Sequence, residues 1–107
     1  MSETQPQVQP QAKSRNLVGP VVSAGEFADA IVEAVREDNP GKEVLVSGRA
    51  SYVRIELEGE CLLRRTTVQD KLGRPFQLTE LEQNMPSFVG QIQAGVEEMR
   101  FYFVKTL

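Results

Sequence analysis

Residues 52–65 run Tyr52-Val53-Arg54-Ile55-Glu56-Leu57-Glu58-Gly59-Glu60-Cys61-Leu62-Leu63-Arg64-Arg65. From Tyr52 to Leu57 polar and apolar residues alternate. Strand side chains have a period of two, so Val53, Ile55 and Leu57 share one face and Tyr52, Arg54 and Glu56 the other. Glu58-Gly59 reads as a turn, and a second strand follows from Glu60 to Arg65. Either Leu62 or Leu63 faces the core here, because a one-residue change of register inverts a strand.

The flanks set these strands in a mixed fold. Glu43 to Ser47 is a weakly alternating strand just upstream. Before it, Leu17-Val18-Gly19-Pro20-Val21-Val22 is rich in β-branched residues and reads as a short strand. Pro20 lacks an amide donor, which predicts a sheet edge or a bulge there. Ser23-Ala24-Gly25-Glu26 has the spacing of a capping box. Phe27, Ile31, Ala34 and Val35 then follow at helical intervals, and the helix stops at Asp38-Asn39-Pro40-Gly41. Downstream, Thr66 or Thr67 opens a short helix closed by Gly73, and Thr79-x-x-Glu82 signals another ending near Asn84. Phe88–Gln93 and Met99–Val104 are the last strands, joined by a turn at Ala94-Gly95. Met99, Phe101 and Phe103 would share the core face. The expected order is β-α-β-β-β-α-α-β-β. The fold class is α+β, a small single domain with a largely antiparallel sheet packed by about three helices.

Composition narrows the chemistry. The chain has 107 residues, a formal net charge of -3, no histidine, no tryptophan and one cysteine, Cys61. Missing histidine removes the commonest general base and the commonest metal ligand. A single cysteine excludes an internal disulfide, a redox pair and a thiolate zinc cluster. No apolar run reaches the length of a membrane span, and the first residues lack the basic and apolar parts of a secretory signal. The expected location is therefore the cytoplasm. Acidic balance argues against nucleic acid, whose binding rests on cationic contacts to phosphate. Residues 1–15, rich in Gln and Pro, read as a flexible tail, and residues 16–107 as the folded domain.

No residue stands out as catalytic. Ser23 has no histidine to activate it, and capping accounts for it. Cys61 lies among apolar neighbours and reads as a core residue. The carboxylates Glu80/Glu82, Glu97/Glu98 and Glu56/Glu58/Glu60 lie on exposed-looking segments and read as solvated charge. No phosphate-binding loop or calcium-type loop occurs. Surface recognition remains. Arg49, Tyr52 and Arg54 share the non-core side of the central hairpin, and Asn39-Pro40-Gly41 forms a corner at the helix end. Arg and Tyr are favoured anchors of protein interfaces. Competing readings are a stand-alone α+β module for a small ligand and a small carboxylate enzyme.

Seven segments in order resemble the effector, or coupling, proteins of soluble diiron monooxygenases. They are NLVGPVVSAGEF at 16–27, DNPGKE at 38–43, YVRI at 52–55, LGRPF at 72–76, LTELE at 78–82, SFVGQIQ at 87–93 and MRFYFVKT at 99–106. The pattern is most similar to the toluene 4-monooxygenase effector type, with phenol hydroxylase and methane monooxygenase regulatory proteins further off. The resemblance implies a cofactor-free, non-catalytic protein; a monomer is the simplest expectation for the free chain. Its partner would be the α-subunit of a diiron hydroxylase, which carries the diiron centre. Docking over that site would tune conformation, oxygen activation, substrate access and coupling. A Rieske ferredoxin, the electron donor, would compete for an overlapping surface. The expected interface is Asn39, Pro40, Gly41, Arg49, Tyr52 and Arg54, with Ser47 and Gln91 added. Arg74 is expected to brace the loop before the following helix.

Overall fold

A computed structural model describes residues 16–104. The proposed tail, residues 1–15, lies outside the described residues. In chain order the elements are β1 (Leu17–Ser23), α1 (Glu26–Asp38), β2 (Leu45–Gly48), β3 (Tyr52–Glu58), β4 (Glu60–Arg64), α2 (Arg65–Leu72), α3 (Leu78–Gln83), β5 (Ser87–Val89), β6 (Gln91–Ala94) and β7 (Glu98–Tyr102). The strands form two antiparallel sheets, β2-β3-β1-β5 and β4-β7-β6.

Two glycines carry the chain from one sheet to the other. The turn at Gly59 (φ 79) does not pair β3 with β4 but hands the chain to the second sheet. The strand expected over 88–93 is two strands, broken at Gly90 (φ 100). A Cβ on Gly90 would lie 2.7 Å from both the Tyr102 carbonyl and Val18 Cγ1, so backbone and core crowd into that corner. The expected order therefore gains one strand. Its single sheet becomes two, bent over one core, as happens where strands switch sheets at a corner.

The core fills the space between the inner faces and the helices. Val18, Val22, Ile55 and Leu57 come from the first sheet, and Cys61, Leu63, Met99 and Phe101 from the second. Ala28, Ile31, Ala34 and Val35 form the buried stripe of α1, at the spacing of one helical face. Register settles the open choice in β4. Leu63 pairs with Met99 and is fully buried, while Leu62 points outward. Phe103 lies beyond the end of β7 and is 45% exposed, so it does not continue the core face.

Long-range contacts override three local signals. Ser23 does not cap α1; it pairs with Tyr52 at the end of β1, its N–H donates to the Asn84 carbonyl, and Gly25 is the N-cap. The helix gains dipole support instead from Glu26 and Asp29 in its first turn. Helix α3 starts at Leu78 without a side-chain cap, because Leu78 and Leu81 are drawn into the core. Pro20 sits in an interior strand rather than at an edge. The ladder to β3 runs Leu17↔Glu58, Val18↔Leu57, then Val21↔Arg54, stepping over Gly19 and Pro20 without an inserted residue.

Gly19 explains why that interruption is tolerated. Its φ is 148, and a Cβ there would fall 2.0 Å from the Ile55 carbonyl oxygen. Gly41 has φ 81 but open space around it. Gly19→Ala is therefore expected to cost about 3 kcal/mol or more through backbone displacement, and Gly41→Ala about 1 kcal/mol through its dihedral alone. Urea unfolding of the two variants checks this, and equal midpoints would contradict it.

Candidate functional site

Helix α1 ends against the free edge of β4. The Asn39 side-chain amide donates to the carbonyls of Val35 (2.7 Å) and Leu62 (2.8 Å), and its Oδ1 accepts the Leu62 N–H at 2.9 Å. Asp38 accepts the Arg64 N–H at 2.8 Å and the Thr67 hydroxyl at 2.7 Å. Lys42 Nζ donates to the Glu60 carbonyl at 2.6 Å. Every second residue of the strand, 60, 62 and 64, is thus met by a side chain from the helix end. Both Asp38 and Asn39 are buried. Asn39 is consequently a fastening and not an exposed contact, while Pro40 and Gly41 stand exposed just beyond it.

Ser47, Arg49, Tyr52 and Arg54 are brought together. With Gly48 they line a surface depression of about 260 Å³. Ser47 and Arg54 are direct partners across β2 and β3, and Tyr52 lies two residues from Arg54 on the same face. Arg49 occupies the connecting turn, where its N–H donates to the Tyr52 carbonyl at 2.9 Å. Arg54 Nη1 lies 3.5 Å from Glu56 Oε2, a long contact with the Arg54 side chain 42% exposed. This is the outer face of the first sheet, turned away from the helices. Leu45, Val21, Leu17 and Val89 belong to the same face by register and were not singled out by sequence. An apolar residue on the polar side of a weak alternation is the signal that would have found them.

Gln91 lies elsewhere, past the bend. It helps to line a different depression of about 440 Å³ with Asn16, Leu17, Val89, Phe103 and Val104. Its strand partner is Tyr102, over whose ring the Arg100 guanidinium sits at 4.5 Å.

Most acidic groups of the candidate pairs are engaged by arginines. Glu80 makes a two-point contact with Arg74 (3.0 and 2.6 Å), Glu60 pairs with Arg100 at 2.5 Å, and Glu97 with Arg65 at 3.1 Å. Arg74 thereby ties the loop before α3 to that helix, as expected. The Arg74 guanidinium holds the Glu80 carboxyl below its ordinary range. Among the described residues no group of three or more Cys, Asp or Glu is placed to hold a metal. Nor is any helix of the described residues long and apolar enough to cross a membrane.

Burial pushes the Cys61 thiol up from 9.0 to about 12, with smaller opposing and assisting effects from Lys42, Asp38 and Glu60. The sign follows from linkage. The unfolded chain loses this proton first, so the contribution is intact below about pH 9 and is lost as pH rises toward 12. Stability is expected to fall on the order of 4 kcal/mol across that interval, a fall that Cys61→Val lacks. Alkaline urea titrations of both forms check it. Asn39→Ala removes the partners of the Leu62 N–H and C=O together, and an expected loss of about 2–3 kcal/mol is read from the shift in urea midpoint.

Comparison with known proteins agrees with this architecture. The MmoB/DmpM family profile matches residues 16–102. The chain is 49% identical over 88 residues to the effector subunit of the alkene monooxygenase system of Xanthobacter autotrophicus (strain ATCC BAA-1158 / Py2), covering 82% of this chain and 87% of that one. It is 37% identical over 51 residues to DmpM, the stimulatory component of phenol 2-monooxygenase of Pseudomonas sp. (strain CF600), covering 48% and 54%. The fold superposes with a TM-score of 0.71 on a chain from a phenol hydroxylase–regulatory protein complex, at 26% identity, covering 82% of this chain and 99% of the other. A second such complex gives 0.67 at 28% identity, covering 81% and 99%. With a two-sheet body running from β1 through β7 and a family match over residues 16–102, this chain belongs to the MmoB/DmpM family.

Proposed function

We propose that this chain is the non-catalytic effector subunit of a multicomponent diiron monooxygenase oxidising an alkene or aromatic hydrocarbon, and that it acts by binding the hydroxylase. The observation that carries this reading is the 49% identity to an alkene monooxygenase effector subunit across most of both chains. The docking surface in this reading is the outer face of the first sheet around Ser47, Arg49, Tyr52 and Arg54, together with the Pro40-Gly41 corner. Asn39 supports that corner from beneath, and Gln91 marks a flank beyond the bend. Residues 16–107 form the effector unit, monomeric when free, working in the cytoplasm. The diiron centre belongs to the hydroxylase α-subunit, and the Rieske ferredoxin competes for part of the same hydroxylase surface.

The physical logic is a shift of population. A ligand moves a partner's conformational equilibrium only by its differential affinity for the two states. Moving a hydroxylase from 1:99 to 99:1 takes about 5.5 kcal/mol of preference. Anchors worth about 2 kcal/mol each supply that from a modest interface.

Titration of the cognate hydroxylase and its electron-transfer components with this protein tests the function. Product formation should rise to a plateau near one effector per active site, and the effector alone should turn over nothing. A flat response would overturn the reading. Tyr52→Ala tests the surface. It is expected to raise the half-saturating concentration at least tenfold and to increase hydrogen peroxide released without product, with the thermal midpoint little changed.

A further inference from the structure

The depression between β2 and β3 is lined by hydrogen-bond donors. Arg49 and Arg54 contribute guanidinium groups, Tyr52 a phenol and Ser47 a hydroxyl. One nearby carboxylate, Glu56, touches Arg54 only at 3.5 Å. Arg49 has no ion pair or side-chain hydrogen bond among the described residues. Elsewhere Arg64, Arg65, Arg74 and Arg100 each reach a carboxylate on another segment within 4.0 Å, and Arg36, on the exposed side of α1, lines neither depression described above. The chain as a whole is acidic, with a net charge of -3. An under-neutralised pair of guanidiniums around a depression is therefore a local departure from the charge of the rest.

We infer that this notch receives a carboxylate side chain, Asp or Glu, from the surface of the hydroxylase. The inference rests on the docking reading above and names the chemistry that reading needs at its centre. A guanidinium presents its N–H groups as a planar fork that matches a carboxylate at two points. Ser47 directly across from Arg54 and Tyr52 beside it offer hydroxyl donors to the same volume of about 260 Å³. Arg54 keeps donors for this because its contact with Glu56 is single and long. Arg49, in the turn that joins β2 and β3, lines the same depression and gives up no side-chain partner among the described residues.

Calorimetric binding of the full chain to its hydroxylase at several NaCl concentrations tests this. Arg49→Gln and Arg54→Gln should each weaken binding about tenfold at low salt, and the double variant should bind with a shallower salt dependence. Arg54→Lys, which keeps charge but loses the fork, should fall between wild type and Arg54→Gln. The Arg49 side chain has no partner to lose among the described residues, so Arg49→Gln remains informative even if an Arg54 variant misfolds. If the Gln variants bind like wild type with the same salt dependence while Tyr52→Ala binds weakly, the face docks but the carboxylate assignment is wrong. If Tyr52→Ala also binds like wild type, the docking face falls with it. If the wild-type chain does not bind the hydroxylase at all, the functional reading itself is overturned.

Discussion

The fastening of α1 onto β4 is the constraint on which the rest of the fold depends. An edge strand leaves a row of unpaired N–H and C=O groups. Here Lys42, Asn39 and Asp38 answer those groups at Glu60, Leu62 and Arg64. Thr67 then ties Asp38 to the first turns of α2. One short segment thereby closes the helix end, protects the strand and joins the next helix. The buried stripe of α1 meets both sheets, so fixing this end also fixes how the two sheets close over the core.

Local periodicity carried much of this fold, and its failures have one cause. The alternation at 52–57, the helical stripe after Phe27 and the stop before Pro40 are short-range patterns, and they stand as expected. Ser23 failed as a cap because β1 claims it, paired with Tyr52 and with its N–H held by Asn84, far along the chain. The break at Gly90 reflects crowding against Tyr102 and Val18, neither of them a sequence neighbour. Leu62 and Leu63 looked alike until pairing with β7 chose between them.

The candidate surface divides along the same line. Tyr52 and Arg54 were legible together because strand geometry alone puts them on one face, and Ser47 and Arg49 joined them through the adjacent hairpin partner and turn. Asn39 looked like an exposed turn residue. Its burial depends on Leu62, 23 residues later, a partner that no local pattern announces. Gln91 was separated from the others by a bend that only the two-sheet arrangement reveals.

The buried thiol has a consequence for endurance. A thiol within reach of solvent meets dissolved oxidants. Sulfenic acid forms from thiolate, and susceptibility follows thiolate character and access. Cys61, the chain's single cysteine, is fully enclosed and holds its proton up to about pH 12. Sealing it inside the second sheet puts that side chain beyond the reach of dissolved oxidants, so the fold itself guards its one thiol.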